Sequence, residues 1–264
     1  MIKQLLRRIA DLLIVVPVRY IRSKSSSDSH IVSTRLDVLS TMHNNAVIDS
    51  ADYAEKNMAS AMAFENKERM WAHVLDLCKV DGLYIEFGVW KGESINYFAR
   101  RLKGREIYGF DSFVGLKDDW PAYGWAKGYF SLDGDVPTVE PNVTLIKGFF
   151  DETLPDFLVA HPGPISFVHI DCDTHNSTRT ALDLISERLR LGSVILFDEY
   201  FGGRGWRHEE WKAWQEFVKL NNIKYEYKAF SYMQVAVQIR ELHWDASERP
   251  AKGPDPRLVS GKSS

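Results

Sequence analysis

Residues 83–93 read LYIEFGVWKGE, and the fold is decided there. An apolar run, Leu83–Phe87, breaks into a turn carrying Gly88 and Gly92. A helical pattern then opens at Glu93-Ser94 and continues through Ile95, Phe98, Ala99 and Leu102. Strand, glycine turn and helix start in that order make a nucleotide-type cradle. Glycine lets backbone approach a ligand, and a helix start offers unpaired N–H groups. The spacing is not G-x-G-x-x-G, so the dinucleotide fingerprint is absent and a nicotinamide dehydrogenase is disfavoured.

Outward from this stretch the pattern alternates. Strands are expected at 83–87, 106–110, 143–147, 165–170 and 193–197, and helices at 93–103, 154–160, 178–191 and 206–220. Such alternation implies a parallel sheet covered on both faces. Two further strands, 224–230 and 234–240, are separated only by Ser231–Met233, and a connection that short permits only an antiparallel pair. The expectation is therefore an α/β, mostly parallel sheet that ends in an antiparallel hairpin, occupying 83–244. Residues 31–82 read as a helical cap or lid, with Met58, Met62 and Phe64 as pocket-lining candidates or plain packing residues.

The chain has 264 residues, enough for one ordinary domain with extensions. A net charge of −3 excludes a general nucleic-acid binder, whose footprint is strongly basic. Cys78 and Cys172 both sit in apolar runs without zinc-like spacing and read as reduced core residues, which points to a cytoplasmic location. Residues 1–22 are apolar and basic, and their longest uncharged run, Leu12–Val18, contains Pro17 and is too short to span a bilayer. That segment suits peripheral contact with an anionic inner-membrane surface, or packing on its own domain or on a second copy in a homo-oligomer. Residues 23–30 read as a Ser-rich linker and 245–264 as a disordered tail.

Ligands of open α/β sheets bind at the carboxyl ends of the strands, so polar residues there carry the chemistry. The first strand ends at Glu86, Gly88 and Gly92. The second ends at Asp111-Ser112, an acidic residue placed to bind ribose hydroxyls. After the third, Phe149 offers a ring to stack on a flat base, and Asp151 or Thr153 offers a helix cap. The fourth and fifth strands end in HIDCDTH (169–175) and FDEY (197–200). Neighbouring ends of this kind crowd four carboxylates and a histidine into one cleft, and such like charges repel unless a cation or proton intervenes. A hard divalent ion such as Mg²⁺ takes oxygen ligands, relieves the repulsion and acidifies a bound hydroxyl for a nearby carboxylate or imidazole base. The alternative is a set of helix caps and salt bridges to Arg179, Arg204 or Arg207.

With these residues assembled, the chain resembles class I S-adenosylmethionine-dependent methyltransferases, and more narrowly the macrocin O-methyltransferase family, which methylates sugar hydroxyls. The resemblance rests on IEFGVWKGESINYFA (85–99), YGFDSFVGL (108–116), KGFFDETLP (147–155), HIDCDTHNSTRTAL (169–182) and GSVILFDEYF (192–201), in family order. It implies a Rossmann-like, seven-stranded, mostly parallel sheet with a reversed final strand, and S-adenosylmethionine as cofactor. Its methionine part would lie at Glu86, Gly88 and Gly92, beside the helix start at Glu93-Ser94, and its ribose at Asp111. It implies Mg²⁺ on Asp171, Asp198 and Glu199, with Asp171 also beside the cofactor, and Asp173 as the base. The acceptor would be a small-molecule or glycan hydroxyl, methylated by direct in-line transfer. Two departures stand out: Glu199 replaces the family's usual second aspartate, and His175 replaces a common tyrosine, where it is a candidate partner in the base role. The competing expectation is a metal-independent methyltransferase, or a non-catalytic binding protein of the same fold.

Overall fold

The computed structural model describes residues 37–242. Expectations for 1–22, 23–30 and 245–264 lie outside the described residues. The chain divides into two compact units, Met1–Asn45 and Ala46–Ser264. In the first, Asp37 caps the start of helix α1 (Val38–Asn57), its carboxylate accepting the N–H groups of Leu39 and Ser40 at 3.2 Å each.

The second unit holds the sheet. Its strands are β1 (Met62–Ala63), β2 (Leu83–Phe87), β3 (Ile107–Asp111), β4 (Val143–Lys147), β5 (Ile165–Ile170), β6 (Val194–Phe197), β7 (Ile223–Ser231) and β8 (Gln234–Leu242). Their spatial order is β1-β7-β8-β6-β5-β2-β3-β4. Every neighbour pair is parallel except β6 with β8 and β7 with β8, so the last strand alone is reversed. The seven expected strands are all present, and β1 adds a short eighth at the edge. The helices are α2 (Lys67–Leu77), α3 (Glu93–Arg101), α4 (Phe150–Ala160), α5 (His175–Ile185) and α6 (Glu210–Leu220).

Period-two alternation along the strands builds two cores. Ile85 and Phe87 of β2 face one way, into a cluster with Phe157, Leu182, Trp214 and Phe217 of α4, α5 and α6. Tyr84 faces the other way, into a cluster with Trp71 and Val74 of α2 and Ile95 and Phe98 of α3. Burying each of these large side chains contributes about 1.5–3 kcal/mol. Cys172 is buried and Cys78 half-buried, both as free thiols.

The helical block expected over 31–82 is interrupted. The Ala- and Met-rich pattern of 51–70 does not run through: Met58 is 2 % exposed in the first core, and Met62–Ala63 pair with Ala229 and Phe230 on the edge of β7. Core burial plus coverage of an open sheet edge outweigh helix propensity here. Asn66 then restarts the helix, its Oδ1 accepting Arg69 N–H at 2.9 Å. Met62 is exposed and Phe64 packs on the second core, and neither they nor Met58 line the cavity described below. No helix among the described residues is long and apolar enough to cross a membrane.

Candidate active site

Strand register aligns the chemistry. Glu86 of β2 pairs with His169 of β5, and His169 with Leu196 of β6. The backbone ladder continues one residue past the strand ends, Asp171 N donating to Phe87 O at 2.8 Å and Asp198 N to Ile170 O at 2.9 Å. Gly88, Asp171 and Asp198 therefore sit side by side at the carboxyl edge of the sheet. Gly88 has φ +88°, and a Cβ there would lie 1.6 Å from the carbonyl oxygen of Asp171, so only glycine permits this approach.

Above this edge opens a cavity of about 480 Å³. One wall is the turn from β2 to α3, with Gly88, Glu93 and Ser94 in the lining. Gly92 caps α3 in the left-handed conformation (φ +81°) without itself lining the cavity, and no side chain caps the helix start. The next wall carries Asp111 and Ser112. Asp111 Oδ2 accepts Val89 N and Trp90 N at 2.8 and 2.7 Å, and Oδ1 accepts Phe113 N at 2.7 Å, which fixes the carboxylate and ties the two turns together. Phe149 lies in the lining with Lys117 Nζ 5.0 Å from its ring centre, and Lys117 pairs with Asp151 at 2.7 Å. Trp90 and Phe130 add aromatic surface, edge to face at 5.4 Å.

The floor is carboxylate. Asp171, Asp173, Asp198 and Glu199 all line it. Donor atoms of His169, Asp171 and Asp198 lie within 4.8 Å of one another, as do those of Asp171, Asp173 and Glu199. The expected trio Asp171, Asp198 and Glu199 is thus split between two overlapping groups that share Asp171. Asp173 is 9 % exposed with φ +67°, a left-handed conformation unusual for a side-chain-bearing residue. Burial, then the charge of Asp198, pushes the carboxyls of Asp171, Asp173 and Glu199 well above the usual range. Asp198 goes the other way: burial opposes its charge, but the neighbouring His169, together with Glu199 and Gln234, more than offsets this and lowers it.

His175 is not part of the cavity lining. It opens α5, where its Nε2 meets Glu216 at 2.9 Å and its backbone N donates to Glu209. Glu86 is fully buried beneath the lining, accepting Ser94 Oγ at 3.0 Å and facing His169 Nδ1 at 3.0 Å.

Three residues that sequence reasoning assigned no role lie behind the floor without lining the cavity. His169 is fully buried, and its Nε2 lies 3.5 Å from Asp198 Oδ1 with no hydrogen-bond partner among the described residues. Gln234 of β8 donates to Asp198 Oδ1. Glu210, fully buried at the start of α6, accepts Glu199 N–H at 3.0 Å. Strand alternation in VHID (168–171) puts His169 on the face of Asp171, a signal that was readable. Nothing in the sequence marks Gln234 or Glu210.

A metal fits this donor set. Oxygen donors dominate, their mutual repulsion calls for a cation, and the buried Glu199 Oε2 has no hydrogen-bond partner among the described residues.

Residues 85–200 match the family described as "Methyltransferase domain". A curated relative, the 8-demethyl-8-(2,3-dimethoxy-alpha-L-rhamnosyl)-tetracenomycin-C 4'-O-methyltransferase of Streptomyces olivaceus, is 27% identical over 46% of this chain and 54% of its own length. The chain thus spans about half the length of that relative. Among solved structures, the calicheamicin methyltransferase CalS11 superposes with a TM-score of 0.52 at 22% identity, covering 80% of this chain and 93% of that one. The O-methyltransferase NovP gives a TM-score of 0.49 at 19% identity over 66% of this chain and 78% of its own. The topology described above is that of class I methyltransferases.

Proposed function

We propose that this chain is an S-adenosylmethionine-dependent O-methyltransferase that methylates a sugar hydroxyl of a glycan, glycolipid or glycosylated natural product, assisted by a divalent metal. The observation that carries the reading is the cavity itself, with a glycine turn and ribose-type aspartate on its walls and four carboxylates on its floor. The methyltransferase domain match and the rhamnosyl O-methyltransferase relative support it.

In this reading Gly88, Glu93 and Ser94, with Glu86 beneath, seat the methionine part of the donor, and Gly92 sets the start of α3. Asp111 and Ser112 hold the ribose, and Phe149 faces the adenine. When bound, the donor would supply an electrophilic sulfonium methyl, and Asp171, Asp198 and Glu199 would hold a cation whose positive charge would acidify the acceptor hydroxyl. Asp173 takes the hydroxyl proton. Trp90 and Phe130 present aromatic faces suited to the C–H surface of a sugar ring. His175, paired with Glu216 outside the cavity, takes no part in the reading.

Calorimetric titration tests the donor assignment. S-adenosylmethionine should bind and NAD should not, and binding of NAD alone would refute it. A metal-independent enzyme would show itself by turnover that survives a chelator.

A further inference from the structure

One buried chain of polar contacts runs from strand to strand beneath the cavity, on the face of the sheet covered by α2 and α3. It begins at Ser94 on the α3 wall, whose Oγ donates to Glu86 Oε1 at 3.0 Å. Glu86 Oε2 faces His169 Nδ1 at 3.0 Å, and His169 Nε2 lies 3.5 Å from Asp198 Oδ1. Gln234 Nε2 donates to the same Asp198 oxygen, while Gln234 Oε1 accepts Trp71 Nε1 at 2.9 Å. Trp71 is on α2, which packs beside α3 on the same face of the sheet, and it too lines the cavity. Glu86 and His169 are 0 % exposed and Gln234 is 5 % exposed, so water does not compete for these bonds.

We propose that Glu86, His169 and Gln234 are positioning residues that aim the Asp198 carboxylate and couple the donor cavity to the metal centre. The inference rests on the metal-assisted reading above. None of the three lines the cavity; each acts through a residue that does. A carboxylate has two oxygens and a free torsion, and a metal ligand needs that torsion fixed. Here one oxygen of Asp198 accepts an amide from β8 and lies 3.5 Å from an imidazole in the core, which restrains that torsion. Polar partners behind metal ligands are worth about 10–100-fold in metal affinity when lost. Because the same chain of contacts runs from Ser94 through Asp198 to Trp71, a donor that settles against these two lining residues also bears on Asp198. Linkage then requires the metal to tighten the donor by the factor with which the donor tightens the metal.

The test uses the full chain, Mg²⁺ and S-adenosylhomocysteine, with each affinity measured by calorimetry in the absence and presence of the other. The unaltered protein should show mutual tightening of about 5–150-fold. Gln234→Met keeps the side-chain volume but removes both of its bonds, and should weaken Mg²⁺ about 10–100-fold. It should bring the coupling factor towards one, with the metal-free affinity for S-adenosylhomocysteine little changed. His169→Asn keeps a donor towards Glu86 but no longer reaches Asp198, and should act in the same direction. Melting curves identify a variant that fails to fold, and the other then carries the test. If either folded variant keeps both the Mg²⁺ affinity and the coupling factor within about twofold of the unaltered protein, the positioning role is overturned. An unaltered protein that binds S-adenosylhomocysteine but no Mg²⁺ would instead overturn the metal reading, and this inference with it.

Discussion

Asp173 carries the heaviest assignment of any single residue. Its backbone is left-handed (φ +67°), which turns the chain out of β5 and sets the carboxyl on the cavity floor. Asparagine tolerates that conformation as well as aspartate does, so Asp173→Asn isolates the proton-accepting role from the fold. Turnover should fall at least about 10²–10⁴-fold while donor binding persists; undiminished turnover would remove Asp173 from the role of base. Gly88 presents the opposite case. An alanine there meets backbone, not a movable side chain, and must also adopt positive φ. Gly88→Ala should cost about 3 kcal/mol or more in unfolding free energy and abolish donor binding, and a folded variant of unchanged stability would contradict the close approach to Asp171. At this scale the sequence was legible wherever a residue's type matched its position at a strand end. The carboxylates and glycines were visible for that reason. Gln234 was not, because its contribution comes from β8 crossing beside β6, a juxtaposition no local pattern encodes.

Among the elements, α1 and the turn before α6 are tied by a two-pronged ion pair, Arg207 Nε and Nη2 each 2.8 Å from an oxygen of Asp49. The hydrogen bonds from Arg207 hold the Asp49 carboxyl below the usual range. A depressed carboxyl stabilises the fold above its unfolded pKa of about 3.9, and that contribution is lost as pH falls through the folded value. Both side chains are substantially exposed, at 46% and 40%, so the contribution is below about 1 kcal/mol. Urea denaturation of Asp49→Asn should show a small loss at pH 7 that shrinks below about pH 4. A loss of equal size at both pH values would mean that packing, not charge, is responsible. The helices of the sheet were readable from periodicity because each has a single apolar stripe. The break at 58–66 was not, since its cause is the empty edge of β7, a strand that lies far along the chain.

For the whole molecule, the relative directions of the strands followed from two features of the sequence. One is the strand–helix alternation, and the other is the short link between β7 and β8, which forces the final reversal. That topology brings the ends of β2, β3, β5 and β6 to one edge and thereby makes the cavity. It does not by itself name an acceptor, which depends on the aromatic wall and on a 112–142 connection that contains no regular helix or strand. The most direct test of the central claim supplies methyl-labelled S-adenosylmethionine and Mg²⁺ to the protein together with a panel of glycosylated acceptors. Label should appear as a methyl ether on a sugar hydroxyl, and should be lost both on chelation and in Asp173→Asn. Label that appears on nitrogen or carbon, or a transfer indifferent to both chelator and Asp173, would contradict the account.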